Sequence, residues 1–389
     1  MEIALCYESV LPARGGCETY IGDLSRRLAI DGHTVHLLAC RWDATALPSS
    51  TRYHRLDVPK GPRFLRPWRF ASACEKALAV IGHDVSIGFD KTWGQDVLYP
   101  QGGLHAASSA HNIRKHSSAV GRFLATLAKR IDPAARSFAR LERKQYCESK
   151  RPTIVVNSRM VRGHFETYYG IGADQIHVIP SAIDPARFIA ADRPRLRHEW
   201  RHAWGIAADE PAALFVAMNY RLKGLEPLLH SLARVPANRP LKLIVVGNPR
   251  TQRYQRLARR LGVTNRVVFH GFLAETRHAY FAADFLVHPT FYDPCSLVVL
   301  EALACGLPII TSRFNGAAEL MQPPHEGLVV SDPHDHARLA ECLVWMLDPA
   351  RRMACSTAAR QTASRWTFEH HYQQLLAVLT QAAAHRAAA

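Results

Sequence analysis

Short apolar runs alternate along this chain with stretches in which apolar residues return every third or fourth position, the pattern of strands followed by helices. Ile3–Tyr7 reads as a strand and Arg14–Glu18 as a turn. Thr19–Ile30 reads as a helix, with Ile21, Leu24, Leu28 and Ala29 on one stripe. Asp31–His33 stops it, and Thr34–Ala39 is a second strand. A strand, helix and strand at this spacing make a parallel pair joined by a right-handed crossover. Further strands are predicted at Tyr53–Val58, Asp84–Phe89, Asp96–Tyr99 and Thr153–Asn157, with a helix from Trp68 to Ile81. The second half repeats the theme: strand Ala212–Met218, helix Leu225–Leu232, strand Leu241–Val246, helix Gln252–Leu261, strand Val267–His270 and helix Glu275–Ala282.

The fold class is therefore α/β, and 389 residues exceed one ordinary core, so two domains are expected. The polar, basic run Ala191–Arg197 interrupts the alternation and places a boundary near Ala190. A last helix, Phe368–Leu379, closes the fold, with a fraying tail from Gln381.

One stretch concentrates candidate chemistry. Phe285–Pro289 is a buried strand and its exit, and from Ser296 the period turns helical until Gly306 ends it; Ile309–Ser312 is the next strand. Asp293 then lies in the loop after a strand, and Glu301 about two turns inside the helix. A carboxylate in an apolar helix needs a hydrogen-bonded partner, and ligand hydroxyls are suitable ones. Loops at the carboxyl ends of parallel strands are where open α/β sheets bind nucleotides.

Three other segments sharpen this. Gly15-Gly16 between first strand and first helix lets backbone come close to an anion, although neither GxGxxG nor a P-loop lysine is present. Arg221 and Lys223, two apart in the loop Asn219–Gly224, can both face a diphosphate. His105 follows Gly102 and Gly103 in a loop after the strand ending at Tyr99, a position close to a ligand.

A net charge of +16 favours an anionic partner without choosing among nucleic acid, phosphorylated substrate and membrane. Much of it gathers between residues 114 and 151. There Arg114, Lys115, Arg122, Lys129, Arg130, Arg136, Arg140, Arg143, Lys144, Lys150 and Arg151 stand against Asp132, Glu142 and Glu148. Phe123, Leu124, Leu127, Ile131, Phe138 and Leu141 share this helical region, which reads either as a membrane-surface helix or as a solvated packing helix. No run of about twenty apolar residues is present to span a bilayer. The N-terminus lacks a basic signal-peptide region, and the nine cysteines have no CxxC or metal spacing, so reduced thiols in the cytoplasm are expected and no metal site.

The order of these motifs resembles the family 4 retaining glycosyltransferases of GT-B fold, with two Rossmann-like domains facing each other across a cleft. The Gly-Gly loop, Arg-x-Lys-Gly, the two acids Asp293 and Glu301, and Ala302-x-x-x-Gly306-x-Pro308 carry the resemblance. Val178–Asp184 and Asn315–Glu319 support it. Gly88–Val97 is similar to the lipopolysaccharide core glucosyltransferases that act on heptose.

The resemblance implies an acceptor-binding domain over 1–190, a nucleotide-sugar-binding domain over 191–365, and a helix in 366–389 crossing back to the first. His105, Asp293, Arg221 and Lys223 become the catalytic candidates. Gly15, Gly16, Arg221, Lys223, Asp293, Ser296, Leu297, Val298 and Glu301 become donor ligands, Glu301 through ribose hydroxyls and Asp293 through the sugar. Glu18 becomes an acceptor contact. Where the family usually has glutamate this chain has Asp293, one methylene shorter.

The implied function is transfer of a hexose, glucose from UDP-glucose, to a lipid-linked saccharide such as the lipopolysaccharide core. It needs no metal or other cofactor, no nucleic acid, and an anionic inner-membrane surface at residues 114–151. Alternatives are a GT-B enzyme of capsule, exopolysaccharide or glycolipid synthesis with another donor, an epimerase or phosphorylase on the same fold, or a basic nucleic-acid-binding protein. The last has no reading motif.

Overall fold

A computed structural model describes residues 1–11, 15–148 and 151–388. The chain folds as two compact units: residues 1–113, 118–180 and 369–389 form the first, and residues 114–117 and 181–368 the second.

In the first unit the strands are β1 (Glu2–Cys6), β2 (Ser9–Val10), β3 (Thr34–Ala39), β4 (Arg41–Trp42), β5 (Arg52–Arg55), β6 (Val85–Phe89), β7 (Val97–Tyr99), β8 (Thr153–Val156) and β9 (Ile176–Val178). Seven of them make a parallel sheet in the order β5-β3-β1-β6-β7-β8-β9, while β2 and β4 pair apart. The order reverses between β1 and β6. Such a switch point leaves a crevice at the strands' carboxyl ends.

Six helices follow in chain order: α1 (Gly16–Ile30), α2 (Arg66–Leu78), α3 (His105–Arg114), α4 (Ala119–Ile131), α5 (Pro133–Cys147) and α6 (Arg159–Tyr169). The α1 stripe buries Ile21, Leu24 and Leu28, as its spacing predicts.

The second unit carries β10 (Ala212–Ala217), β11 (Lys242–Gly247), β12 (Val267–Gly271), β13 (Phe285–His288), β14 (Ile309–Ser312) and β15 (Gly327–Val330). They form one parallel sheet ordered β12-β11-β10-β13-β14-β15, with its switch point between β10 and β13. β10, β13 and β14 are buried along their whole length, because helices cover both faces. That is why these strands read as continuous apolar runs. The helices are α7 (Arg193–Ala203), α8 (Leu225–Leu232), α9 (Gln252–Arg260), α10 (Arg277–Ala282), α11 (Leu297–Ala304), α12 (His336–Trp345), α13 (Pro349–Arg365) and α14 (Phe368–Ala387), the last belonging to the first unit from Glu369 on.

Several boundaries differ from the sequence reading. The first unit ends at Pro180, ten residues before Ala190, because Ser181–Ile189 packs with the second unit; Phe188, for instance, lies edge-on to Tyr280. The second unit likewise runs to Phe368, past the expected residue 365. The basic run at residues 191–197, expected to interrupt the alternation, leads into helix α7 from Arg193. Arg197 binds Asp284 at 2.7 Å, and buried Arg201 binds Asp284 and the Ala282 carbonyl.

The tail from Gln381 is helical to Ala387, and Ala382 is buried. Upstream in the same helix His371 hydrogen-bonds the Tyr20 hydroxyl at 2.7 Å, Tyr372 donates to Asp31, and Glu369 pairs with Arg27. Helix periodicity could show α14, but not these partners more than 300 residues away in sequence.

Candidate active site

In the second unit the loops leaving β10 and β13 lie side by side at the switch point. Phe291 N–H donates to the Leu222 carbonyl at 2.9 Å, and the Thr290 hydroxyl donates to it at 3.3 Å. Gly224 makes this approach possible. Its φ is +86°, and a Cβ there would lie 2.1 Å from the Pro289 carbonyl oxygen. Only glycine tolerates both conditions.

The consequence is the placement of Lys223. Its ammonium donates to Asp293 Oδ2 at 2.6 Å and to the Tyr292 carbonyl at 3.2 Å. Asp293 is fixed by its own backbone, its N–H donating to Phe314 O at 2.9 Å and its carbonyl accepting from Gly316 N at 2.8 Å. Burial alone would raise the Asp293 pKa. The Lys223 charge and the neighbouring His288 overcome this and hold the carboxyl well below the usual aspartate range. His288 is itself buried, with Nε2 3.5 Å from Asp293 Oδ2, and burial drives its pKa down, so it is a neutral ring at neutral pH.

α11 begins just beyond. The Asn315 side-chain carbonyl accepts from Ser296 N at 3.2 Å and from Ala317 N at 3.1 Å, joining the start of α11 to the turn after β14. The Ser296 amide, expected to face a ligand, is therefore taken by Asn315. The N–H groups of Leu297 and Val298 have no hydrogen bond among the described residues.

Glu301 is the fifth residue of α11, so it lies little more than one turn inside and not two. The partner that its burial requires is in the protein: the Tyr280 hydroxyl donates to Oε2 at 2.5 Å. Burial pushes the Glu301 carboxyl up to about 7, with Tyr280 and Arg187 opposing. Arg221 lies two residues before Lys223 in the same loop, half-buried.

The remaining candidates lie in the first unit. Gly15 caps α1, whose first turn starts at Gly16; Arg14 of the expected turn lies outside the described residues, as does Lys150 of the basic region. Glu18 and His105 line a common pocket of about 680 Å³ at the carboxyl ends of β1 and β6. His105 is not in a loop, as its glycine neighbours imply, but is the first residue of α3. Glu142 of α5 accepts from the His105 and Ala106 amides and so caps that helix. A cap supplied by another helix leaves no local signature. Burial, with Lys91 and Lys129 nearby, lowers the His105 pKa to about 4, so the ring is neutral at physiological pH.

Sequence reasoning missed two further residues of this pocket, Asp90 and Lys91. Among the described residues Asp90 is the one non-glycine with positive φ, at 57°. Its carboxylate accepts from Gly102 N at 2.9 Å, and the Gln145 side chain donates to the Asp90 and Thr92 carbonyls, holding the turn. A left-handed aspartate costs on the order of 1–2 kcal/mol, and such strain gathers at functional sites. The Asp-Lys dipeptide at a strand exit was the available signal.

Among the described residues no group of three His, Cys, Asp or Glu side chains is placed to hold a metal ion, and no helix is long and apolar enough to cross a membrane.

Known proteins share this architecture. The family described as Glycosyltransferase Family 4 matches residues 14–187, and Glycosyl transferases group 1 matches residues 197–362. The lipopolysaccharide glucosyltransferase WaaG of Escherichia coli is 25% identical over 366 residues, 93% of this chain and 94% of that protein. A crystal structure of WaaG, a glycosyltransferase involved in lipopolysaccharide biosynthesis, is similar with a TM-score of 0.79 at 23% identity, covering 97% of this chain and 99% of that one. A D-inositol 3-phosphate glycosyltransferase of Geodermatophilus obscurus is 29% identical over 418 residues, covering 96% and 86%. Anabaena Alr3699/HepE in complex with UDP-glucose has a TM-score of 0.68 at 19% identity, covering 98% of this chain and 100% of that one.

Proposed function

The chain belongs to the family 4 glycosyltransferases of two Rossmann-like domains, and we propose that it is a retaining enzyme moving glucose from UDP-glucose to a lipid-linked saccharide, the heptose of a lipopolysaccharide core. The observation that carries the donor half is the Lys223–Asp293 pair at the β10/β13 switch point, followed in the chain by Glu301 on α11.

Each group has a role on this reading. Lys223 and Arg221 take charge that develops on the leaving diphosphate, so no metal ion is needed. Preorganised cations in a partly dry site act most strongly where charge appears in the transition state. Asp293 accepts from sugar hydroxyls, and Glu301 from those of the ribose. The amides of Leu297 and Val298, and the backbone at Gly15 and Gly16, add donors for the phosphates. His105, neutral, offers a hydrogen bond to the sugar, and Glu18 contacts the acceptor. Retention follows from attack on the face the diphosphate leaves, with a phosphate oxygen as base.

Support for UDP-glucose is the neighbour crystallised with it; support for a lipopolysaccharide acceptor is the relative of that name. The inositol phosphate relative favours a second reading, a phosphorylated polyol as acceptor. The enzyme works at the cytoplasmic face of the inner membrane, docked through α4. No residue of α4 is buried, and Phe123 is 68% and Ile131 67% exposed, among basic residues.

Thermal unfolding with UDP, GDP and ADP, then with UDP-glucose, UDP-galactose and GDP-mannose, tests the donor. A ligand bound only by the native state raises Tm. A shift with UDP and UDP-glucose alone is expected. A shift with GDP-mannose alone replaces the donor, and no shift with any nucleotide removes the reading.

A further inference from the structure

The first unit's pocket holds more charge than its own side chains consume. Of its cations, Arg66 is paired with Glu8, but Arg63 and Lys91 form no ion pair among the described residues. Of its acids, Glu142 is committed to the first turn of α3 and to the Tyr169 hydroxyl at 2.7 Å, and Asp90 accepts from Gly102.

Lys91 is the telling residue. It is partly buried, with its ammonium 3.8 Å from the centroid of the Phe138 ring, a weak substitute for a counter-ion. Burial pulls its pKa down against the charge of Asp90. A desolvated cation without a paired anion is costly. It is nevertheless held in place, because Gln145 clamps the carbonyls of Asp90 and Thr92 on both sides of it. The same pocket is lined by the acids Asp90 and Glu18 and the Tyr7 hydroxyl, groups of the kind that bind sugar hydroxyls.

We propose that this pocket selects an acceptor sugar carrying an anionic group, phosphate or carboxylate, and that Lys91 with Arg63 recognises the anion while Asp90 faces the sugar hydroxyls. This deepens the reading of the chain as a glycosyltransferase and rests on the first unit being its acceptor side. An ammonium and a guanidinium reach an anionic substituent of a sugar ring whose hydroxyls meet the acids. A neutral sugar leaves Lys91 unpaired, and that difference is the source of discrimination.

Saturation-transfer NMR on the full chain with excess UDP tests this, with glucose 6-phosphate, glucuronate and glucose as probes. The expected result is binding of at least one anionic sugar roughly tenfold or more tighter than glucose, the usual weight of one charged hydrogen bond. The phosphate and carboxylate arms tell the two sources apart. Lys91→Ala and Lys91→Gln should each abolish the preference, and Lys91→Arg should retain most of it.

Equal binding of the three sugars, no binding of any, or an unchanged preference in both Lys91→Ala and Lys91→Gln overturns the proposal. The UDP-induced rise in Tm, read on the same samples, shows that the variants are folded. Its absence in the parent sinks the donor reading, while the sugar preference still decides the pocket.

Discussion

The Lys223 ammonium lies 2.6 Å from Asp293 Oδ2, although 70 residues separate them in sequence. Each is partly shielded from water, with side chains 21% and 14% exposed. The pair is a charged hydrogen bond inside the region where a diphosphate and a sugar are proposed to meet.

Removing one partner leaves the other charged and unpaired. Lys223→Ala should destabilise the protein by about 1–3 kcal/mol and reduce glycosyl transfer by on the order of a hundredfold. Lys223→Ala should also let the Asp293 pKa rise towards the ordinary range. Since the folded-state pKa of Asp293 is depressed, its contribution to stability is complete above the ordinary aspartate range. It is lost as pH falls below that range. Urea unfolding of the parent and of Asp293→Asn from pH 7 down to 3 checks this: the variant should lose part of the acid-side decline, and identical slopes would count against the pairing.

Gly224 sets the geometry of that pair. Its left-handed φ and the Pro289 oxygen in the path of a Cβ mean that Gly224→Ala must move the loop carrying Lys223. The backbone strain alone is worth about 1–2 kcal/mol. Loss of stability beyond this, together with a weakened nucleotide-induced shift in Tm, is the expected outcome. A variant as stable as the parent would show the loop to be less tightly seated than described.

Glu301 behaves in the opposite sense to Asp293. Its folded-state pKa is raised to about 7 from an ordinary 4.5. The stability linked to it is therefore full below about 4.5 and falls as pH rises through 7, because the folded state holds the proton more tightly. Glu301→Gln should abolish that fall and be no less stable than the parent at pH 8. If the carboxylate also binds ribose, the same variant should bind UDP about tenfold more weakly. Calorimetric titration with UDP and unfolding at pH 5 and pH 8 separate the two effects.

Much of this was legible in the chain, for physical reasons. A fully buried parallel strand must be apolar on both faces, so β10, β13 and β14 announced themselves, and a loop between such a strand and a helix located Asp293. Spacing along the chain was enough for Glu301 and Lys223 as candidates. It could not show that Lys223 reaches Asp293, that Tyr280 supplies the partner of Glu301, or that Asn315 takes the Ser296 amide, since each is a tertiary contact between separate elements. The basic run at residues 191–197 misled because Arg197 is tied to Asp284 and to carbonyls at the end of α10, and Arg193 to the Cys305 carbonyl, a use of charge that composition cannot distinguish from solvation. Asp90 escaped because the Asp-Lys dipeptide at a strand exit, the signal the chain did offer, does not reveal its left-handed backbone.

The exposed face of α4 leads to the last prediction. Phe123, Leu124 and Leu127 are 68%, 56% and 48% exposed, on a helix that buries none of its residues. An amphipathic helix whose apolar side chains stay exposed among the described residues, flanked by Arg122 and Arg130, suits the boundary of an anionic bilayer. Lys129 directs its ammonium to the Ser109 carbonyl. Each basic residue near such a surface adds about 1 kcal/mol, and the apolar side chains add their transfer into the interface. Sedimentation with anionic and with neutral vesicles should therefore show binding to the former. Phe123→Ser combined with Leu127→Ser should lose most of it, and Arg122→Gln with Arg130→Gln should lose part. Because these side chains are exposed, Tm should move little, by the equivalent of about 0.5 kcal/mol or less. Equal binding to both lipids, or a double serine variant that binds as the parent does, would return α4 to the status of a solvated helix.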